Sequence, residues 1–233
     1  MNATPLRLVL DPVGDELTAA LNCEAEVFLQ TYGNTVDQLA HEYGPYAERT
    51  GLITLLDESC RALATTRFIA PGPAGLKTLN DTKRAPWNVD GLRSARAAGI
   101  DPSRTWDIAT IAVRRSSRGG LAAAALYHGI ATAANANQID SIIMIMDARA
   151  RRLLSASGMQ TRALPGTTEG QYLGSPKSTP VWADLREMFD LQRQTNPDAY
   201  RLIYQGIGLD GISLPTDWSW RQHSQTAHDP VYA

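Results

Sequence analysis

Arg114, Arg115 and Arg118 gather around the pair Gly119 and Gly120. Such a set suits an anion. Side-chain-free glycines let backbone N–H groups come close to a ligand, and guanidinium groups add charge around it. The surrounding residues 111–125, IAVRRSSRGGLAAAA, read as a strand, a basic turn and an alanine-rich helix. A helix that starts at this turn points unpaired N–H groups and a positive dipole end at whatever lies above it. Together these make a candidate pyrophosphate site. The plainer reading of the same residues is an ordinary β-to-α turn with solvated arginines.

The neighbouring elements must position that turn. Downstream, Ile142, Ile143, Met144, Ile145 and Met146 form an unbroken apolar run ended by Asp147, which suits a strand buried on both faces. Asp147 can cap the next helix, in which Ala150, Leu153, Leu154 and Ser157 keep helical spacing and Gly158 marks the end. The order is a strand near 105–113, the turn, a helix near 118–137, a strand near 139–146 and a short helix, with the two strands expected to be adjacent and parallel.

This order resembles the acyl-CoA-binding core of the GNAT acyltransferase superfamily. The family's turn pattern, Gln/Arg-x-x-Gly-x-Gly/Ala, can be laid on residues 117–122, where Ser117 replaces Gln or Arg. It can also start at Arg118, which loses the first Gly. The N-terminal half resembles one branch, the acyl-homoserine-lactone synthases and long-chain N-acyl amino acid synthases. The matching features are Val27-Phe28, a strand ending in Arg67-Phe68-Ile69-Ala70-Pro71, and Trp106-Asp107 opening the core. Departures are specific. Glu24 stands where the branch has Arg, Asn34 near its Trp, and Asp107, Ala109 and Thr110 where it has Glu, Ser and Arg. Leu154 stands where many GNAT enzymes carry a tyrosine general acid.

The resemblance implies an α/β fold with a mixed, mainly antiparallel sheet flanked by helices. It also implies acyl transfer from acyl-CoA or a phosphopantetheine-linked donor, carried by acyl carrier protein, to a small amine or amino acid. In that reading Arg118, Gly119, Gly120, Leu121 and Ala122 hold the donor, and backbone N–H groups near Ile111 and Val113 polarise the thioester carbonyl. Phe28 lines a substrate pocket. Arg67 suits a substrate carboxylate, or is a solvated strand-end charge. Asp107, at the branch's Glu position and on an apolar strand, is the candidate base; a strand-start carboxylate paired with an arginine is its plainer role. His41 and His128 are other candidate bases, His128 in a helix where a packed imidazole is the plainer role. A catalytically inactive GNAT-like binding or assembly module remains the alternative, favoured by the missing tyrosine.

Composition narrows the partners. With 233 residues, 43% of them hydrophobic, the chain can bury one core, expected over residues 1–207 with a tail at 208–233. A net charge of −2 argues against non-specific nucleic-acid binding. Cys23 and Cys60 are too few for a disulfide scaffold or a zinc site, so no metal is expected. No apolar run of membrane-spanning length occurs and residues 1–17 lack a signal-peptide core, from which a cytoplasmic location is expected. The turn lacks the Lys-Ser/Thr of a phosphate loop and the Gly-x-Gly-x-x-Gly of a dinucleotide site, which weakens a nucleotide-binding reading.

Overall fold

A computed structural model describes residues 6–117 and 120–221. The chain opens with β1 (Leu6–Leu10), α1 (Asp15–Tyr32) and α2 (Val36–Tyr43), followed by the hairpin β2 (Thr50–Leu56) and β3 (Ala62–Ile69). Two short helices, α3 (Lys77–Asp81) and α4 (Gly91–Ala97), lie in the glycine- and proline-containing stretch before β4 (Thr105–Val113). After the basic turn come α5 (Leu121–Ala136), β5 (Ser141–Asp147) and α6 (Ala148–Ala156). The chain continues through β6 (Arg162–Ala163), β7 (Gly170–Tyr172), β8 (Ser175–Asp184), α7 (Leu185–Thr195), α8 (Pro197–Ile203) and β9 (Ile212–Ser213).

Among the described residues these strands form one sheet in the order β6-β8-β5-β4-β3-β2-β1-β9, with β7 on β8. Pairing is antiparallel except at β4–β5 and β1–β9. The parallel β4–β5 pair joined through α5 is the unit expected from the sequence, and the mixed, mainly antiparallel sheet is the expected fold. Beyond residue 207, β9 pairs with β1, and Trp220 sets its ring edge-on to Phe68 at 5.6 Å.

Strand periodicity sorts the core. Phe68, Trp106, Ile108, Ile142, Met144 and Met146 pack with α5 and α7 on one face, where Phe68 and Trp106 stack at 4.1 Å. On the other face, Ile69 packs with Leu39 and Tyr43 of α2, while Ile143 and Trp182 pack with Leu76, Leu79 and Ala95. The helix α5 is apolar nearly all round because it is buried nearly all round. No helix among the described residues is long and apolar enough to cross a membrane.

Two irregularities matter for the site. In the β3–β4 ladder Arg67 faces Thr110, but Phe68 faces Ile108, so Ala109 is an extra residue on β4. Such a bulge bends a strand and re-aims its side chains. The β4–β5 ladder runs only from Thr105↔Ser141 to Asp107↔Ile143, after which the two strands part.

Candidate active site

The parting of β4 and β5 opens a cleft. Its inner end is a cavity of about 110 Å³ walled by Ile108, Ala109, Thr110 and Ile111 of β4 and by residues 144–147 of β5. Phe28 and Tyr32 of α1, Tyr43 of α2, and Tyr172 and Leu173 at the β7–β8 turn close it. The outer end is a groove of about 510 Å³ that reaches Val113, Ala123 in the first turn of α5, Arg149 and Lys177. Phe28, Tyr32, Ile111, Met146, Asp147 and Ala150 belong to both, so cavity and groove are continuous. On the α5 side, Ile108, Ile111, Met144 and Met146 also border an apolar void of about 20 Å³, lined further by Leu154, Met159, Met188 and Phe189.

Local rules explain why these groups stand where they do. Gly120 caps α5 at φ +91°, a conformation glycine adopts without strain, and a Cβ there would meet no described protein atom within 4 Å. Leu121 and Ala122 form the first turn, Leu121 exposed and Ala122 buried. Arg118 and Gly119 lie outside the described residues. Asp147 caps α6, its Oδ1 accepting from the N–H groups of Arg149 (2.8 Å) and Ala150 (3.0 Å). Its Oδ2 accepts from the Tyr32 hydroxyl, which ties the last turn of α1 to the end of β5. Gly174, at φ +81°, lets the β7–β8 turn approach that same helix end: a Cβ there would sit 2.1 Å from the carbonyl oxygen of Tyr32.

Behind the inner wall lie two buried charge networks. Arg67 is 1% exposed and donates through Nε (2.9 Å) and Nη2 (2.5 Å) to the two carboxylate oxygens of the fully buried Glu24. Thr110 Oγ1 also donates to Glu24 (2.5 Å), and the guanidinium lies 4.9 Å from the Tyr43 ring centre. Arg67 is thus neither a solvated strand-end charge nor a wall of the cavity. Lys77 is 3% exposed and donates to Glu42 (2.7 Å), Asp81 (2.5 Å) and the Tyr172 hydroxyl (2.8 Å). Burial alone would lower the Lys77 pKa, but Asp81 and Glu42 outweigh it and hold it above the ordinary range. Burial, with Asp81 beside it, pushes the Tyr172 phenol well up, so it stays protonated and donates to Asp81 (2.5 Å).

Asp107 stands outside the cavity wall. It is 1% exposed, and its two oxygens accept from the Thr78 N–H (2.5 Å) and Oγ1 (2.9 Å) at the start of α3. Its partner is therefore a threonine, not an arginine. Burial pushes its carboxyl up to about 7, against the opposing pull of the Thr78 hydrogen bonds. His128 is packed, with Nδ1 2.9 Å from the Ile203 carbonyl oxygen and its ring edge-on to Trp218. His41, in the last turn of α2, is exposed and outside the cavity wall. Phe28 and Ile111 line both ends of the cleft, Val113 the groove alone.

Sequence reasoning missed Tyr32, Tyr43 and Tyr172. For Tyr43 a signal was present: Thr35 and Gln38 form a capping box ahead of Val36, Leu39 and Tyr43, which share a helical face. Tyr32 and Tyr172 carried no local signal, since tertiary packing alone brings them together.

A sheet that parts between β4 and β5, with a glycine-led helix start at the mouth, is the fold of GNAT-like acyltransferases. Within that fold the chain is similar to one branch. The N-acyl amino acid synthase FeeM from uncultured soil microbes matches with a TM-score of 0.60 at 14% identity, over 81% of this chain and 96% of that one. The CoA-dependent acyl-homoserine lactone synthase BjaI matches with a TM-score of 0.56 at 13% identity, over 98% and 97% of the two chains. The acyl-homoserine-lactone synthase LasI matches with a TM-score of 0.51 at 10% identity, over 78% and 91%. No protein-family model and no curated protein matches the sequence.

Proposed function

We propose that the chain is an N-acyltransferase that moves an acyl group from a thioester of phosphopantetheine to a small amine. The observation that carries this reading is the continuous cleft. It joins a cavity at the parting of β4 and β5 to a groove that ends at the first turn of α5. A linear donor fits that shape: phosphates at the helix start, pantetheine arm along the groove, thioester at the parting. The N-terminus of α5 offers N–H groups and a positive dipole end for the phosphates. Arg149 and Lys177 add charge along the groove, with Arg151 and Arg152 elsewhere on α6. This distribution serves CoA or an acidic carrier protein alike.

At the parting, the backbone of residues 108–111 has left its β5 partner, so the N–H groups on that side can face a carbonyl oxygen that gains negative charge. The neighbouring apolar void takes the near end of the acyl chain, and its four methionines can re-pack around different chains. The ammonium of the acceptor must lose one proton before its nitrogen attacks the carbonyl carbon. The C–N bond forms, the C–S bond breaks, and the second nitrogen proton ends on the departing sulfur. In this reading Asp107 fixes α3 against β4 beside the cleft, and Arg67 with Glu24 fixes the bulge.

Native mass spectrometry and thermal shift against acyl-CoAs of graded length test the proposal. A bound donor raises the melting temperature with concentration by mass action. Gly120→Val and Arg118→Glu should each weaken that response while the free protein stays folded. The same donor affinity in both variants as in the wild type would remove the site from this turn. The inactive-module alternative predicts donor binding without amide formation.

A further inference from the structure

We infer that the acceptor is a primary amine with no free carboxylate, carrying an apolar or aromatic group, and that Asp147, held by Tyr32, anchors its ammonium. This rests on the acyl-transfer reading of the cleft and names the substrate class of its inner cavity.

The charge distribution separates the two ends of the cleft. Among the described residues that wall the inner cavity, Asp147 is the one ionisable group of the Asp, Glu, Lys or Arg type. Two described cations behind the wall are already engaged. Arg67 is held by both oxygens of Glu24, and Lys77 faces two carboxylates, Asp81 and Glu42, which leaves an excess of negative charge behind Tyr172. The groove, by contrast, carries Arg149 and Lys177 in its wall. An ammonium in the inner cavity therefore meets one carboxylate in front and a net negative network behind. A carboxylate in the same place meets Asp147 at close range and, among the described residues of the wall, no cation to offset its loss of water.

Asp147 is built to hold a cation there. Oδ1 is committed to the α6 cap, and the Tyr32 hydroxyl fixes Oδ2, so the carboxylate does not need to reorder when a ligand arrives. The remaining lone pairs lie on a partly exposed group at the junction of cavity and groove, where acceptor nitrogen and donor thioester must meet. The rest of the wall, Phe28, Tyr43, Met144, Tyr172 and Leu173, offers aromatic and apolar contact to the amine's substituent.

Matched pairs of ligands test the inference: tyramine against tyrosine, and phenethylamine against phenylalanine, with binding to the purified protein measured by calorimetry and amide formation from an acyl-CoA by mass spectrometry. Each amine should bind at least about tenfold more tightly than its amino acid, the size of one well-placed charge effect. In Asp147→Asn, which keeps an N-cap oxygen for α6, the preference should fall to within about threefold. Tyr32→Phe should weaken amine binding but keep the preference, because the charge remains. Equal or tighter binding of the amino acids to the wild type overturns the inference, as does binding of neither ligand. Amine binding without amide product overturns acyl transfer and leaves the acceptor class standing. Amide formed preferentially from the amino acids does the reverse.

Discussion

Arg67 separates a structural role from a substrate-binding one. Its guanidinium is 1% exposed and makes two hydrogen bonds to Glu24, whose carboxylate also accepts from Thr110 across the bulge in β4. Replacing Glu24 by Gln leaves a buried guanidinium facing a neutral amide, and replacing Arg67 by Met leaves a buried carboxylate without its guanidinium counter-charge. Breaking a buried pair from one side costs about 3–5 kcal/mol, whereas replacing both partners is close to neutral. For a chain of this size about 1 kcal/mol moves the melting temperature by about 2–4 °C, so each single variant should melt about 6–20 °C lower. The double variant should recover most of that loss, and the coupling appears directly in a double-mutant cycle. The assay is reversible urea unfolding with thermal melting alongside. If Arg67→Met melts within a few degrees of the wild type yet loses amine acylation, the guanidinium acts on substrate and the structural reading fails.

Three further outcomes follow from single groups. Gly174→Ala should lower stability by about 1–3 kcal/mol and loosen the Tyr32–Asp147 contact, because φ +81° and the nearby Tyr32 carbonyl both resist a side chain; a crystal structure and a urea midpoint check this. Asp107 has a folded-state pKa of about 7, above its unfolded value of about 3.9, so the folded state holds this proton more tightly. Its contribution is fully present below about pH 4 and is lost as pH rises through about 7, with a slope of up to about 1.4 kcal/mol per pH unit. Asp107→Asn should remove that slope from the pH profile of unfolding, and an unchanged slope would contradict the assignment. Burial pushes the Cys23 thiol up to about 11, so a thiol reagent at pH 8 should modify Cys60 well before Cys23, as peptide mapping will show.

Much of the core was legible because its signals are local. The five apolar residues 142–146 ended by Asp147 gave a buried strand and a helix cap, and the structure places them in β5 and at the start of α6. The glycine turn and the alanines after it gave α5, and the order of elements gave the parallel pair. The stretch 81–104 is broken by Pro86, Gly91, Gly99 and Pro102, which interrupt any long element pattern. In the structure α4 lies within it, and α3 ends at its start, where Thr78 binds Asp107. What stayed hidden depends on residues far apart in sequence. Glu24 meets Arg67 and Thr110 across separations of 43 and 86 residues, and Tyr32 meets Asp147 across 115. Periodicity reports which face a residue takes within its own element, and it carries no information about which distant side chain that face will meet. Asp107 shows the consequence: its buried, apolar-strand setting was readable, while its partner was not.

Thioester-dependent acyl transfer in the cleft is open to test in a single reaction. The protein, an acyl-CoA and tyramine are mixed, and free thiol and N-acyl amide are followed together over time. Thiol and amide should appear in equal amounts at the same rate, with both suppressed in Gly120→Val. A thioester that survives intact across a panel of acyl-CoA and carrier-protein donors and amines would rule out acyl transfer by this cleft. So would thiol released by hydrolysis with no amide formed.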